Sequence, residues 1–131
     1  MAVFTATVSS TMLNWLTGNT TPAAVATRYI SVYNGDPQGA GTEVISTLTG
    51  SANRINMTAA VPTTATNTVS SNADIIFTTA AVGSATVTHV GISDAITAGT
   101  LYASAAVSAS KTPAVGDGLR ILSGSLTFTI N

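Results

Sequence analysis

Thr86-Val-Thr-His-Val-Gly-Ile-Ser-Asp94 alternates along its length. In an extended chain Thr86, Thr88, Val90 and Ile92 face one way, and Val87, His89, Gly91 and Ser93 face the other. Asp94 opens a turn through Asp94-Ala-Ile-Thr-Ala-Gly99. From Thr100 a second alternating run puts Leu101, Ala103, Ala105 and Val107 on one face. A strand, a short loop and a strand make a hairpin over 86–108. The pattern predicts that this hairpin is the centre of an all-β domain, with the other segments paired around it.

Upstream, Arg28-Tyr-Ile-Ser-Val-Tyr-Asn34 alternates in the same way, with Ile30 and Val32 opposite Tyr29, Ser31 and Tyr33. Asn34-Gly-Asp-Pro37 is a turn signal, because Asn and Gly accept positive φ and Pro presets its own. Thr42 to Ser46 reads as a short edge strand. Arg54 to Val61 reads as a strand with Ile55, Met57, Ala59 and Val61 on one face, stopped by Pro62. Thr63 to Asn72 is a polar loop with one weak strand, and Ala73 to Thr78 is a strand.

Downstream, Leu119 and Ile121 point inward with Arg120 outward. Leu126, Phe128 and Ile130 alternate with Thr127 and Thr129. One short N-terminal helix is predicted over 9–18. Ser9 or Ser10 caps it, Gly18 ends it, and Val8 with Leu13 can form a hydrophobic staple. Met12, Leu13, Trp15 and Leu16 form its apolar patch. Trp15 reads first as a plug in one end of the β core, and second as an anchor in a neighbouring subunit. The whole is one domain, 1–131, with about eight or nine short antiparallel strands in a β-sandwich or jelly roll.

Composition narrows the function. Only 7% of the 131 residues are charged, against about 25% in an average globular chain. Four scattered cations, Arg28, Arg54, Lys111 and Arg120, cannot track a phosphate backbone. There is no cysteine, so disulfides and thiolate chemistry are excluded. Threonine (24) and alanine (21) make up about a third of the chain. Such a neutral surface suits a protein held in a stable assembly, where repulsion between copies would be a cost. It equally suits a secreted β domain. No apolar run approaches the roughly 20 residues that span a bilayer. The start of the chain lacks the pattern of a signal peptide, so folding in the cytoplasm where the chain is made is expected.

Chemistry is sparse. His89 is the sole histidine, and a lone imidazole in mid-strand reads as a structural hydrogen bond. Asp36, Asp94 and Asp117 sit at glycine-containing turns, where a carboxylate bonds backbone N–H groups. A glycosidase would need two acids converging on a cleft. Asp36, Glu43 and Asp117 are too dispersed to suggest a calcium site. No catalytic, cofactor-binding or metal-binding residue is assigned.

Three pieces carry a resemblance. They are Ile30-Ser-Val-Tyr-Asn-Gly-Asp-Pro37 with Gly41-Thr-Glu43, then Thr88-His-Val-Gly-Ile-Ser-Asp-Ala95 with Gly99-Thr-Leu-Tyr102, and Lys111-Thr-Pro-Ala-Val-Gly-Asp117 with Gly124 to Ile130. Together they resemble a family of small tailed-bacteriophage virion proteins, labelled tail-fibre, head-fibre or capsid decoration (cement) proteins. The resemblance implies a structural, non-enzymatic role in a virus particle. The chain is short and lacks heptads or a fibrous repeat. The expected place is therefore the outer capsid surface, as a decoration protein. There a homotrimer would bind the major capsid protein, with no nucleic acid and no membrane as partners. The alternative is a tail-fibre or baseplate protein that binds host glycan through Tyr29, Tyr33 or Tyr102.

Overall fold

A computed structural model describes residues 3–60, 68–77 and 81–129. The chain runs β1 (Val3–Phe4), α1 (Ala6–Leu16), β2 (Tyr29–Asn34), β3 (Thr42–Glu43), α2 (Ile45–Thr49) and β4 (Ile55–Asn56), followed by a 3-10 turn (Thr58–Ala60). It continues through β5 (Thr68–Ser70), β6 (Ile75–Phe77), β7 (Val87–Ser93), β8 (Leu101–Lys111), β9 (Leu119–Ile121) and β10 (Thr127–Thr129). All strand pairs are antiparallel. The main sheet has the order β1-β8-β7-β2-β3, with β4 also on β2. A second layer of two short ribbons, β10-β5 and β6-β9, completes a sandwich-like all-β fold.

The predicted hairpin is the centre of the main sheet. β7 lies between β2 and β8, pairing Val32 with Val90 on one side and Val90 with Ala105 on the other. Its inner face carries Ile30, Val32, Val90 and Ile92 into the core. There they meet Ile45 and Leu48 of α2, Met57, Ile75, Phe77 and Leu126. Leu119, Ile121 and Phe128 pack against this cluster from the second layer, as their alternation predicts. Hydroxyl pairs lace the rim: Thr68 with Thr129 (3.3 Å), Ser70 with Thr127 (3.2 Å) and Thr86 with Thr112 (2.9 Å). Threonine thus does the cross-strand work that ion pairs do in a more charged sheet.

Two register shifts change the faces read from simple alternation. One falls between Val87 and His89, and it brings Val87 into the core with Val90. The other falls between Ile92 and Ser93, so Leu101 pairs with Ser93 while Ala103 pairs with Ile92. Leu101 is thereby moved off the face of Ala103, to lie over Gly91 beside Tyr33. Irregularities in a ladder reverse the parity of every residue beyond them.

Three elements also differ from the sequence expectation. The stretch 42–46 is an edge strand only at Thr42–Glu43. Ile45 and Leu48, three apart, then turn a helical face into the core, and Gly50 at φ +72° ends the helix. The strand from Arg54 stops after Asn56, whose Oδ1 accepts the Thr58 N–H at 2.9 Å. The chain winds into a 3-10 turn there, so Met57 and Ala60 are buried rather than Met57 and Ala59. Finally, α1 starts at Ala6, not Ser9, with Thr5 in the extended cap conformation. Ser9 and Ser10 lie exposed within the helix. Val61, residues 63–67 of the 63–72 loop, Thr78 and Ile130 lie outside the described residues; the weak strand expected in that loop is β5.

The Asn34–Gly41 turn is folded tightly back on itself. Asp36 O accepts from Gly39 N (3.0 Å) and Gly41 N (2.9 Å). A Cβ on Gly41 would run into the Gly35 carbonyl. We expect Gly41→Ala to lower the free energy of unfolding by about 2 kcal/mol, as overpacking against backbone does. Gly39→Ala, whose Cβ would meet only Asp36 O at an ordinary 3.7 Å, should stay within about 0.5 kcal/mol. Urea denaturation of the two variants side by side checks both.

Candidate interaction surface

No residue of α1 is buried. Leu13, Trp15 and Leu16 are 61%, 57% and 76% exposed. The first reading of Trp15, as a plug in the β core, is therefore corrected: within one chain it touches solvent. The helix starts without a side-chain cap and has neither acid in its first turn nor base in its last. Thr11 and Thr17 bond back to Thr7 O and Leu13 O, each at 2.9 Å, which weakens rather than supports a helix. Its far end is well made. Thr17 N donates to Leu13 O and Gly18 N to Trp15 O, with Gly18 at φ +78° as expected. An 11-residue helix of this composition is marginal in water.

Between α1 and the body lies an open apolar groove of about 640 Å³. Phe4, Val8 and Met12 form the helix wall, and Pro22, Ala23 and Val25 form the rim. Ile92, Ala103, Val69 and Phe128 form the floor and far side. Arg28 is the one charged residue among the lining residues. Its side chain has no hydrogen-bond or ion-pair partner among the described residues, and its Nε is shut off from solvent.

The opposite face of the main sheet is buried too, by polar means. Ser31, Tyr33, Ser93 and Ser104 are all buried there. Arg54, 9% exposed, closes it. Its guanidinium grips Glu43 in a fork, Nε to Oε1 at 2.8 Å and Nη2 to Oε2 at 3.0 Å. Nη1 donates to Ala98 O and to Ala95 O (3.3 Å), and Arg54 N donates to Ile96 O (2.9 Å). One residue thus holds the β7–β8 loop, including Ala98 at φ +52°. Burial pushes the Tyr33 hydroxyl above its ordinary pKa, and Glu43 adds to this against the opposing charge of Arg54.

Comparison with known proteins fits these features to a class. The family of the podophage GP4 fiber I protein gp80 matches residues 3–129. The chain belongs to this fiber I family. That makes it a structural protein of a phage virion, as the three turn-rich pieces suggested. No curated protein matches the chain.

In this fiber I family member the carboxylates are all engaged in holding the fold. Asp36 accepts from Gln38 N (3.0 Å) and Ser104 Oγ (3.1 Å). Asp94 accepts from Thr100 N (2.7 Å), and Asp117 from Ala114 N (2.9 Å). Asp74 accepts from Ser123 N (2.8 Å) and lies 3.8 Å from Arg120. His89 makes the structural bond expected of it, Nδ1 to Thr88 Oγ1 at 3.0 Å. The tyrosines offer no open platform. Tyr33 is 6% exposed, Tyr29 is half-buried, and Tyr102 lines the groove with its hydroxyl 3.4 Å from Asp94. The residues that sequence reasoning missed are the groove's floor, Ile92, Val69 and Phe128. They belong to three separate strands, and no local pattern links them.

The Arg54–Glu43 fork carries a pH signature. Burial alone would raise the Glu43 pKa, but the Arg54 hydrogen bonds and charge outweigh it and hold the carboxyl below its ordinary 4.5. Its contribution to stability is then present above pH 4.5 and lost as pH falls through the depressed value. We expect the melting temperature to drop in that acid window. In Glu43→Gln it should start lower and change less with pH there. Arg54→Ala, which also frees the loop, should cost about 3 kcal/mol at neutral pH. Thermal melts from pH 7 down to pH 3 check all three.

Proposed function

We propose that the chain is a repeated, non-enzymatic building block of a virion fibre, which works by adhesion and carries out no chemistry. The family match over residues 3–129 carries this reading. The structure agrees with it in two ways. Its carboxylates hold turns and Arg54, as befits a rigid structural subunit. Among the described residues, four of its nine large exposed apolar side chains, Met12, Leu13, Trp15 and Leu16, lie together on α1. The cations serve separate places: Arg28 the groove, Arg54 the buried fork, Arg120 the exposed Asp74 pair and Lys111 the end of β8. Binding to nucleic acid is no part of the proposal, and neither is insertion in a membrane. Association as a homotrimer is.

A second reading keeps the same chemistry and moves the protein to the outer capsid. The body is a short sandwich without a shaft-forming repeat, which suits a decoration protein bridging neighbouring copies of the major capsid protein. Such a protein stabilises the shell because it binds the assembled lattice and not the separate subunits.

Immunogold labelling of purified virions, with copy number from quantitative mass spectrometry, separates the two. The fibre reading expects label confined to fibres and a low copy number. Label spread over the head at a copy number matching the capsid lattice would replace it with decoration. Absence from purified virions would end both.

A further inference from the structure

We propose that the C-terminal end of α1 from a second copy of this chain seats in the apolar groove of the first, led by Leu13, Trp15 and Leu16. The inference deepens the repeated-subunit reading and rests on it.

Three observations point to a second copy as the occupant. The first is charge. Residues 1–27 contain no charged side chain, so neither α1 nor the groove rim offers anything to a charged partner. Two such surfaces meet without repulsion. The second is Arg28. It is a cation in an apolar groove with no partner among the described residues. The C-terminal end of a helix carries partial negative charge on its last carbonyls. The Leu13, Asn14 and Trp15 carbonyls already accept from the Thr17, Asn19 and Gly18 N–H groups, so an incoming α1 end offers Arg28 chiefly the Leu16 carbonyl, while its side chains meet Val8, Met12 and Phe128.

The third is area. Leu13, Trp15 and Leu16 are 61%, 57% and 76% exposed. At roughly 200 Å² for each large apolar side chain, they leave on the order of 400 Å² bare. Laid in a groove of equal area, they remove about 800 Å² from water per contact, short of the roughly 1,000–1,200 Å² of a specific interface. A copy that gives its helix and receives another's makes two such contacts and exceeds that size. The groove's 640 Å³ is within the roughly 300–1,000 Å³ that takes a compact ligand, so Trp15 with Leu16 beside it fits. Residues 17–28 carry no strand or helix, so the helix is joined to β2 by a long connector that such an exchange needs.

The test uses the full chain in solution, apart from any virion, so its outcome is independent of where the protein sits. Sedimentation across about 1–100 µM, a range that brackets micromolar association, is read alongside the emission of Trp15, the sole tryptophan. The wild type is expected to self-associate with blue-shifted emission. Leu16→Asp spoils the helix end, and Ala23→Arg crowds the rim of the groove at an exposed position. Each should give a monomer with red-shifted emission and an unchanged far-ultraviolet circular dichroism spectrum. Leu13→Asp replaces Leu16→Asp should the latter lose that spectrum. Arg28→Met should weaken association about tenfold, the loss of one charge-assisted bond.

The deciding step is mixing. The Leu16→Asp copy keeps its groove and the Ala23→Arg copy keeps its helix, so the two together should associate where neither does alone. Three results would overturn the proposal. One is a wild type that stays monomeric over the range, including one that floats with phosphatidylcholine vesicles instead. Another is a pair of single variants that still assemble. The last is a mixture that stays monomeric.

Discussion

The central strand β7 is buried on both faces, and the fold depends on how the second face is closed. Its inner face is covered by ordinary aliphatic packing from α2, β6 and β10 neighbours. Its outer face meets Tyr33 and Leu101, which come so near to Gly91 that a methyl group there would overlap both. Over this layer sits Arg54, joined to Glu43 on β3 and to the carbonyls of the β7–β8 loop. Removing a charge from water is costly, and a fork of good geometry with further acceptors is what offsets it. The clamp fixes the loop, the loop fixes how β8 leaves β7, and β8 carries Ala103 to the floor of the groove.

Much of this was legible in the residues. The hairpin, the alternation of β2, the inward Leu119 and Ile121 and the Gly18 stop are local patterns, and local patterns survive folding. What was not legible has one physical cause: it depends on contacts between distant segments. The register shifts beside Val87 and Ile92 are set by how β8 meets β7, so the faces of Val87 and Leu101 could not be read from either strand alone. Ile45 and Leu48 are a helical pair only because the core lies to one side of them. A five-residue apolar-polar run is otherwise as good a strand as a helix. Glu43 and Arg54, eleven positions apart, look like two unrelated surface charges until β3 and the start of β4 bring them together.

The reading of α1 failed in an informative way. An amphipathic run holding the only tryptophan is ordinarily a core element, because isolated short helices gain their stability by packing. Here no residue of the helix is buried against the described residues, although the sequence pattern that calls for packing is intact. Elsewhere the departures from the local signals, at α2, after Asn56 and at the two shifts beside β8, all still bury the apolar residues concerned, wholly or in part. A disagreement that leaves the apolar face itself exposed points to a functional site rather than to a flaw in folding.

Composition explains why that site takes an apolar form. A protein with nine charged residues in 131 has little means of steering a partner by its field, and six of its hydroxyls are paired with one another across the strands. Strong, lasting contact must come from removing apolar surface from water, which requires apolar surface to be held out where a partner can reach it. Placing it on a helix tethered between β1 and a connector of irregular chain keeps it away from the β-sheet edges, where exposed apolar residues invite uncontrolled strand pairing. The helix satisfies most of its own backbone, so what it offers is chiefly side chains. It thereby gives a nearly uncharged chain one concentrated adhesive patch, whereas the exposed Ile76, Val82, Ile96, Val115 and Leu122 are spread over other elements.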